Sequence, residues 1–108
     1  MRLRLSFAVV GLLGSTVCGS APAIARPVTA ADLSGRSVCW SNGDKETYSP
    51  GGKYRSSAYG PGAWQFISAG VVAVQAQSTQ WSSAIEKLPD GSLHATASSG
   101  QWTGRYCK

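Results

Sequence analysis

The chain has few side chains that could do chemistry. Its one histidine is His94, which stands between Leu93 and Ala95. A general base needs an orienting partner and a reacting group within reach, and the sequence has no Gly-x-Ser-x-Gly segment that would present a serine nucleophile. We therefore expect His94 to be a surface or barrel-wall residue, and we predict no catalytic residue.

Paired carboxylates are the chemistry of glycoside hydrolysis, but the acidic residues of this chain do not suggest such a pair. Asp44 and Asp90 fall in turn segments, where an aspartate accepts local hydrogen bonds. Glu46 and Glu86 each stand beside a lysine, which favours solvated strand faces. One histidine and scattered acids also lack the spacing of metal ligands. We predict no enzyme activity, no metal and no cofactor.

Aromatic residues are the most distinctive feature, with four Trp and four Tyr. Because an indole buries a large area, three of the Trp side chains are predicted to fill the core: Trp40, Trp64 and Trp102. Tyr59 and Trp81 have turn-forming or polar neighbours, so we expect them to be exposed and to stack on a ligand. Arg55 and Arg105 lie near these aromatics in sequence and are predicted to hold an anionic group.

Residues 1–25 have the features of a signal peptide. Arg2 and Arg4 precede an uncharged run over residues 5–17, which matches the charged and apolar regions of a secretory signal. The run is shorter than the roughly 20 residues of a membrane-spanning helix, although a single anchor is the alternative. Ala23-Ile24-Ala25 offers small side chains to a signal peptidase. We predict cleavage after Ala25 and a periplasmic or secreted mature chain with no transmembrane segment.

The cysteines predict a covalent link between the two ends of the mature chain. Cys18 lies in the signal segment, and Val17 before it does not match the Gly or Ala of a lipoprotein acylation site. Cys39 and Cys107 remain, and an even pair in an exported chain favours a disulfide. Two free thiols that serve catalysis or a metal are the alternative, but the sequence has no Cys-x-x-Cys.

The charge of the chain argues against nucleic-acid binding. Basic residues exceed acidic ones beyond Ala25 by about three, and they are dispersed along the sequence. Nucleic-acid binding usually needs a clustered basic stripe. We predict no nucleic-acid partner and only a weak preference for anionic surfaces, such as envelope polymers or lipid headgroups.

Turn-forming residues recur at short intervals and separate short runs that are rich in β-branched and aromatic side chains. Seven or eight such strands joined by tight turns are typical of an all-β antiparallel meander. Residues 77–88 have a competing helical pattern. The predicted strands are 37–40, 45–48, 53–57, 63–68, 71–77, 79–87, 92–96 and 101–107.

Alternation along the strands predicts that the sheet is closed. Trp40 lies on the face opposite Cys39, and Trp102 and Tyr106 lie opposite Cys107. A bond between the two cysteines then requires the first and last strands to be neighbours. A meander whose first strand meets its last is a closed or nearly closed barrel without exposed edges.

The mature chain is long enough for one domain. We predict a flexible leader over residues 26–34 and a single up-and-down barrel over residues 35–108. A rolled open sheet or a two-sheet sandwich is the alternative.

Several short segments occur in a characteristic order: Cys39-Trp40-Ser41-Asn42-Gly43, Ser49-Pro50-Gly51-Gly52-Lys53-Tyr54, Gly62-Ala63-Trp64, Leu88-Pro89-Asp90-Gly91 and Gly104-Arg105-Tyr106-Cys107. This order resembles small exported bacterial domains of the lipocalin-like (calycin-like) meander type, in which a Pro-x-Gly-x-Tyr hairpin followed by Gly-x-Trp recurs. The resemblance spans about residues 33–108. It implies a fold much more than an activity.

Three functions are compatible with such a domain. The first is a binding module that holds a small apolar or glycan ligand or docks to an envelope component. The second is a protein inhibitor similar to the periplasmic lysozyme inhibitors, although their loop pattern of Ser, Gly, Tyr and Lys is absent and a basic domain would be repelled by a basic lysozyme. The third is an envelope-stability protein without a ligand. We favour the binding module.

Overall fold

Eight consecutive strands form a closed antiparallel barrel in the structure, a computed structural model that describes residues 24–107. Each strand pairs with the next along the chain, and the last also pairs with the first. The predicted all-β barrel is therefore confirmed. The elements are β1 Arg26–Pro27, α1 Ala30–Leu33, β2 Arg36–Trp40, β3 Lys45–Ser49, β4 Lys53–Ser56, β5 Gly60–Ser68, β6 Val71–Ala76, β7 Thr79–Lys87, β8 Leu93–Ala97 and β9 Gly100–Tyr106.

The predicted signal peptide, residues 1–25, lies outside the described residues except for Ile24 and Ala25. Cleavage after Ala25 therefore stays a prediction.

Every second residue of the barrel strands points inward and forms the core. In β2, for example, Val38 and Trp40 are buried while Cys39 between them is exposed. The core positions that this alternation supplies are Val38, Trp40, Tyr48, Tyr54, Trp64, Val72, Val74, Ala76, Ile85, Leu93 and Ala95. Trp102 is half-buried and packs against this core. The core role predicted for Trp40 and Trp64 is therefore confirmed, whereas Trp102 lies at the margin of the core.

The barrel closes along the seam between β2 and β9. Trp40 lies opposite Gly104 in the register of the two strands. A Cβ on Gly104 would come within 2.6 Å of the Trp40 ring, so the glycine makes room for the indole inside the barrel. On the outer wall, Cys39 and Cys107 form a disulfide with their Cα atoms 5.5 Å apart, as predicted.

Two hairpins differ from the expected pattern. The predicted strands 53–57 and 63–68 left the turn between them, but the turn occupies residues 57–59 and β5 begins at Gly60. Gly62 therefore belongs to β5. A glycine is needed there because β6 lies very close, and a Cβ would come within 2.2 Å of the Gln75 carbonyl oxygen. The helical alternative for residues 77–88 is wrong, because β7 occupies most of that range. The β6–β7 turn has no Gly or Pro, and Gln77 itself adopts a φ of 56°.

The segment expected to be a flexible leader, residues 26–34, is packed onto one end of the barrel. β1 pairs with the end of β7, and the Val28 N–H donates to the Ile85 carbonyl over 3.0 Å. Val28 and Leu33 are both buried. Most of the segment is small or polar, so its sequence offered little sign that these two apolar side chains close this end of the barrel. We call it the closed end.

Asp32 fastens this segment. Its carboxylate accepts from both terminal nitrogens of Arg26, at 2.8 and 3.0 Å, and from the Thr29 backbone N–H at 2.8 Å. The Arg26 hydrogen bonds hold the pKa of Asp32 well below its usual range, against the opposing effect of burial. In addition, the Tyr106 hydroxyl donates to the Asp32 carbonyl over 2.8 Å. The segment is thus tied to the barrel wall by side-chain as well as backbone bonds.

Candidate ligand-binding cavity

The barrel contains a cavity of about 240 Å³. Asn42, Tyr59, Thr79 and Ser99, which line it, come from the four hairpins at the end opposite α1. We call this end the mouth. An eight-stranded barrel is just wide enough to be filled by side chains or to hold one small ligand. Here the side chains fill the closed end and leave the space below the mouth open.

The cavity has two chemically different walls. Strands β6, β7 and β8 supply a mainly apolar wall that includes Val72, Val74, Ile85, Ala95 and Ala97. The other wall comes from β2, the β2–β3 hairpin, β3 and β9. Apart from Asn42 at the mouth, its side chains are aromatic or acidic: Trp40, Asp44, Glu46, Tyr48 and Trp102. A molecule inside the barrel would therefore meet an apolar surface on one side and hydrogen-bonding groups on the other.

Glu46 is the central polar group of the second wall, and its side chain points into the barrel. It is 8% exposed. One carboxylate oxygen accepts from the Trp40 indole N–H over 2.6 Å and from the Tyr48 hydroxyl, and the other accepts from the Tyr54 hydroxyl. All three donors come from core side chains, so the barrel wall fixes the carboxyl group from three directions.

The solvated position predicted for Glu46 is wrong. Successive residues of a strand point to opposite faces, so the exposed Lys45 beside it places Glu46 inside rather than outside. The sequence itself indicated the inner position, because Glu46 and Tyr48 alternate with Lys45 and Thr47, and the aromatic Tyr48 is expected on the inner face. Glu86 is exposed, as predicted.

Burial governs the electrostatics of the Glu46 cluster. It raises the pKa of Glu46, although the hydrogen bonds from Tyr48, Tyr54 and Trp40 act in the opposite direction. Burial also raises the pKa of Tyr48 and of Tyr54, and the Glu46 charge adds to both effects. Both hydroxyls therefore keep their protons and remain donors toward the carboxyl group.

Asp44 is the second acidic group of the cavity wall and is also buried. Its carboxylate accepts from the Ser56 and Ser57 hydroxyls, each at 2.8 Å at its shortest, and from the Ala58 N–H at 3.2 Å. We expected Asp44 to make local turn bonds. Instead it ties the β2–β3 hairpin to the β4–β5 hairpin at the mouth. Asp90 does bond locally, accepting from the Ser92 N–H and hydroxyl.

Tyr59 and Trp81, the two aromatics predicted to contact a ligand, meet at the mouth. Their ring centroids are 4.9 Å apart, and both side chains line the cavity. Trp81 also packs edge-on against Tyr54 at 6.0 Å, and Tyr54 donates to Glu46. A continuous aromatic path thus leads from the mouth to the buried carboxyl group. That these residues bind a ligand stays a prediction.

Arg55 and Arg105, predicted to hold an anionic group, are not part of the cavity wall. Both side chains are exposed. In the sheet register Arg55 lies opposite Thr47, and Arg105 lies opposite the disulfide residue Cys39. The sequence placed them near Tyr59 and Trp102 along the chain, but alternation turns them to the outer surface.

The described part of the chain contains neither a cluster of metal-ligating side chains nor a membrane-spanning helix. Within residues 24–107, no group of three His, Cys, Asp or Glu side chains is arranged to hold a metal ion. His94 lies on the outer side of β8, with its Nε2 3.2 Å from the Gln101 side-chain oxygen. The same residues include no helix of the length and apolar character needed to cross a membrane.

Comparisons with known proteins give no relative from which a function could be transferred. No protein family, curated protein or solved structure matches the chain. The fold by itself, a closed eight-stranded antiparallel barrel, is compatible with the lipocalin-like resemblance. The cavity is therefore the feature of this chain that bears on its function.

Proposed function

We propose that this chain is an exported, non-catalytic protein of the lipocalin-like type that binds a small organic molecule inside its barrel. The observation that carries the proposal is the cavity of about 240 Å³, which opens between the four hairpins of the mouth. An apolar wall facing a few fixed polar groups is the usual construction of a small-molecule site.

The size of the cavity limits the ligand. Dry protein cavities of roughly 150 Å³ accept benzene, whereas sites for drug-sized molecules begin near 300 Å³. The volume here lies between those values, so it suits a molecule of about one ring or a short branched chain. Larger glycans would extend from the mouth onto Tyr59 and Trp81.

The disulfide supports export. Such bonds persist in oxidising compartments and are rare in the cytosol of most organisms, and Cys39 and Cys107 are well placed for one.

The alternative function, a protein inhibitor, lacks comparable support. The loops that join the barrel strands are only two to five residues long, so no long loop projects from this part of the chain toward a partner.

Native mass spectrometry of the protein purified from its host's envelope or culture medium tests the proposal. We expect a chain that begins at Arg26, one disulfide, and a retained small molecule released on unfolding. Ala97→Phe should abolish retention, because Ala97 lines the cavity. Ala84→Phe on the exposed face of the neighbouring strand is the control and should retain the molecule. An intact N-terminus with free thiols would contradict export, and equal retention by both variants would contradict the cavity as the site.

A further inference from the structure

Charges of opposite sign are separated between the outside and the inside of this barrel. The chain is basic, with a formal net charge of +5. In residues 24–107, six of the seven Lys and Arg side chains are exposed and the seventh, Lys87, is half-buried; none of them lines the cavity. The acidic residues Asp44 and Glu46 do line it.

Neither of these two buried carboxyl groups has a cationic partner among the described residues. The ion pairs of residues 24–107 join Asp32 to Arg26 and to Lys87, at the closed end. The hydrogen-bond partners of Asp44 and Glu46 are neutral hydroxyl, indole and backbone donors. Ionising a buried carboxyl group without a countercharge is costly, so a cation placed beside these two groups would stabilise their ionised forms.

Each carboxylate also keeps capacity for one more donor. An ionised carboxylate has about four acceptor positions. Glu46 receives three donors, from Trp40, Tyr48 and Tyr54. Asp44 likewise receives three donors, because the Ser56 hydroxyl is shared between both carboxylate oxygens while Ser57 and Ala58 donate to Oδ1, so the open position is on Oδ2. A ligand N–H or a positive centre is the group that would complete both sets.

The aromatic residues between the mouth and Glu46 favour the same kind of ligand. The negative π-face of an aromatic ring attracts a cation, most strongly in the case of Trp. Trp40 and Trp81 both line the cavity, and the Tyr59 ring stands against Trp81 at its entrance. The exposed basic residues do not line the cavity, so a cation inside it would contact none of them.

We infer that the cavity takes a small organic cation, an ammonium group on an apolar body of about one ring. The ammonium head lies against Asp44 and Glu46, and the apolar body packs on Val72, Val74 and Ala95. This inference rests on the proposed function and names its ligand class. It also reverses the charge expected from sequence, since Arg55 and Arg105 are outside the cavity.

Calorimetric titration of the oxidised protein at neutral pH, with three probes of one shape and different charge, tests the inference. The probes are benzylammonium, benzyl alcohol and benzoate. We expect benzylammonium to bind at least about tenfold more tightly than benzyl alcohol, as an added charged hydrogen bond would give, and benzoate to bind most weakly.

Matched charge-neutralising variants locate the effect. Glu46→Gln and Asp44→Asn should each remove most of the preference for benzylammonium. The controls Glu86→Gln and Asp90→Asn neutralise exposed acids and should preserve it. If Glu46→Gln does not fold, as judged by near-ultraviolet circular dichroism, Asp44→Asn and the comparison of probes on the wild-type protein still decide.

Three outcomes would overturn the inference in distinguishable ways. Benzyl alcohol or benzoate binding as tightly as benzylammonium would refute the cation preference while leaving the binding function in place. A preference retained by both interior variants would refute the assigned carboxyl groups. Binding of none of the probes, with no molecule retained by the natively purified protein, would remove both the inference and the proposed function.

Discussion

At the scale of single residues, Glu46 has an unusual environment for an acidic side chain. It is an acid in a core of aromatic rings, held by three donors that do not carry charge. Burial raises its pKa above the usual value of 4.5. The folded protein therefore holds a proton on Glu46 to a higher pH than the unfolded chain does.

This difference makes stability depend on pH in a defined direction. Because the folded state binds the proton more tightly, the stabilisation is complete below the unfolded pKa of about 4.5 and is lost as pH rises through the folded pKa. The Glu46→Gln variant has no titrating group at this position, so its stability has no such dependence on pH. We predict that the unfolding free energy of the wild type, relative to that of Glu46→Gln, falls as pH rises above about 4.5.

Urea denaturation of both proteins over this pH series measures the effect. The exposed-site control Glu86→Gln should follow the wild type at every pH. A wild-type stability that rises relative to Glu46→Gln would show that the hydrogen bonds, and not burial, dominate the Glu46 environment.

At the scale of elements, the segment formed by β1 and α1 closes the end of the barrel opposite the mouth. Leu33 is fully buried there, the Gly35 N–H donates to the Tyr48 carbonyl over 2.7 Å, and Tyr48 in turn donates to Glu46. Packing of α1 is therefore continuous with the wall of the cavity. The segment is therefore part of the folded domain and closes this end of the barrel.

Removing the Leu33 side chain tests this role. Leu33→Ala should lower the unfolding free energy by about 2–5 kcal/mol, the usual cost of a cavity left by a buried leucine. Ile67→Ala is the control, because Ile67 is 56% exposed and exposed substitutions usually change stability by less than about 0.5 kcal/mol. Thermal or urea unfolding compares the two variants, and similar losses for both would contradict the closing role of α1.

The strands and turns were predicted correctly from sequence where the residue types follow from the backbone geometry. Alternation and turn residues located the eight barrel strands, and β7 has the predicted bounds. The turn at Gln77 was not signalled, because a glutamine in a left-handed conformation leaves no mark in composition. The segment over residues 26–34 was misjudged because only two of its side chains, Val28 and Leu33, are apolar and buried.

At the scale of the whole molecule, the disulfide joins the two ends of a closed meander. It spans 68 positions of sequence and fastens β2 beside β9, the pairing on which closure depends. The same pairing brings Trp40 next to Gly104, inside the barrel, where its indole N–H donates to Glu46. Closure and the chemistry of the interior are therefore linked through one seam.

Breaking the disulfide should destabilise the whole barrel. Closing a loop of 68 residues is expected to stabilise the folded state by roughly 4 kcal/mol through the entropy of the unfolded chain. We predict that Cys39→Ser combined with Cys107→Ser loses about this amount in urea denaturation. Reductant should weaken the wild type to the same level and leave the double variant unchanged. A double variant within about 1 kcal/mol of the oxidised wild type would argue against this stabilisation.

The sequence by itself determined the strands, their tight turns and the covalent link that implied closure, because these depend on local backbone preference, period-two alternation and the number of cysteines. Only the tertiary structure decided what the barrel contains. Alternation tells which residues share a face, but Glu46 meets Trp40 and Tyr54 from neighbouring strands only through register and closure. Arg55 and Arg105 point outward for the related reason that successive side chains of a strand lie on opposite sides of the barrel wall, so residues close in sequence need not share a face.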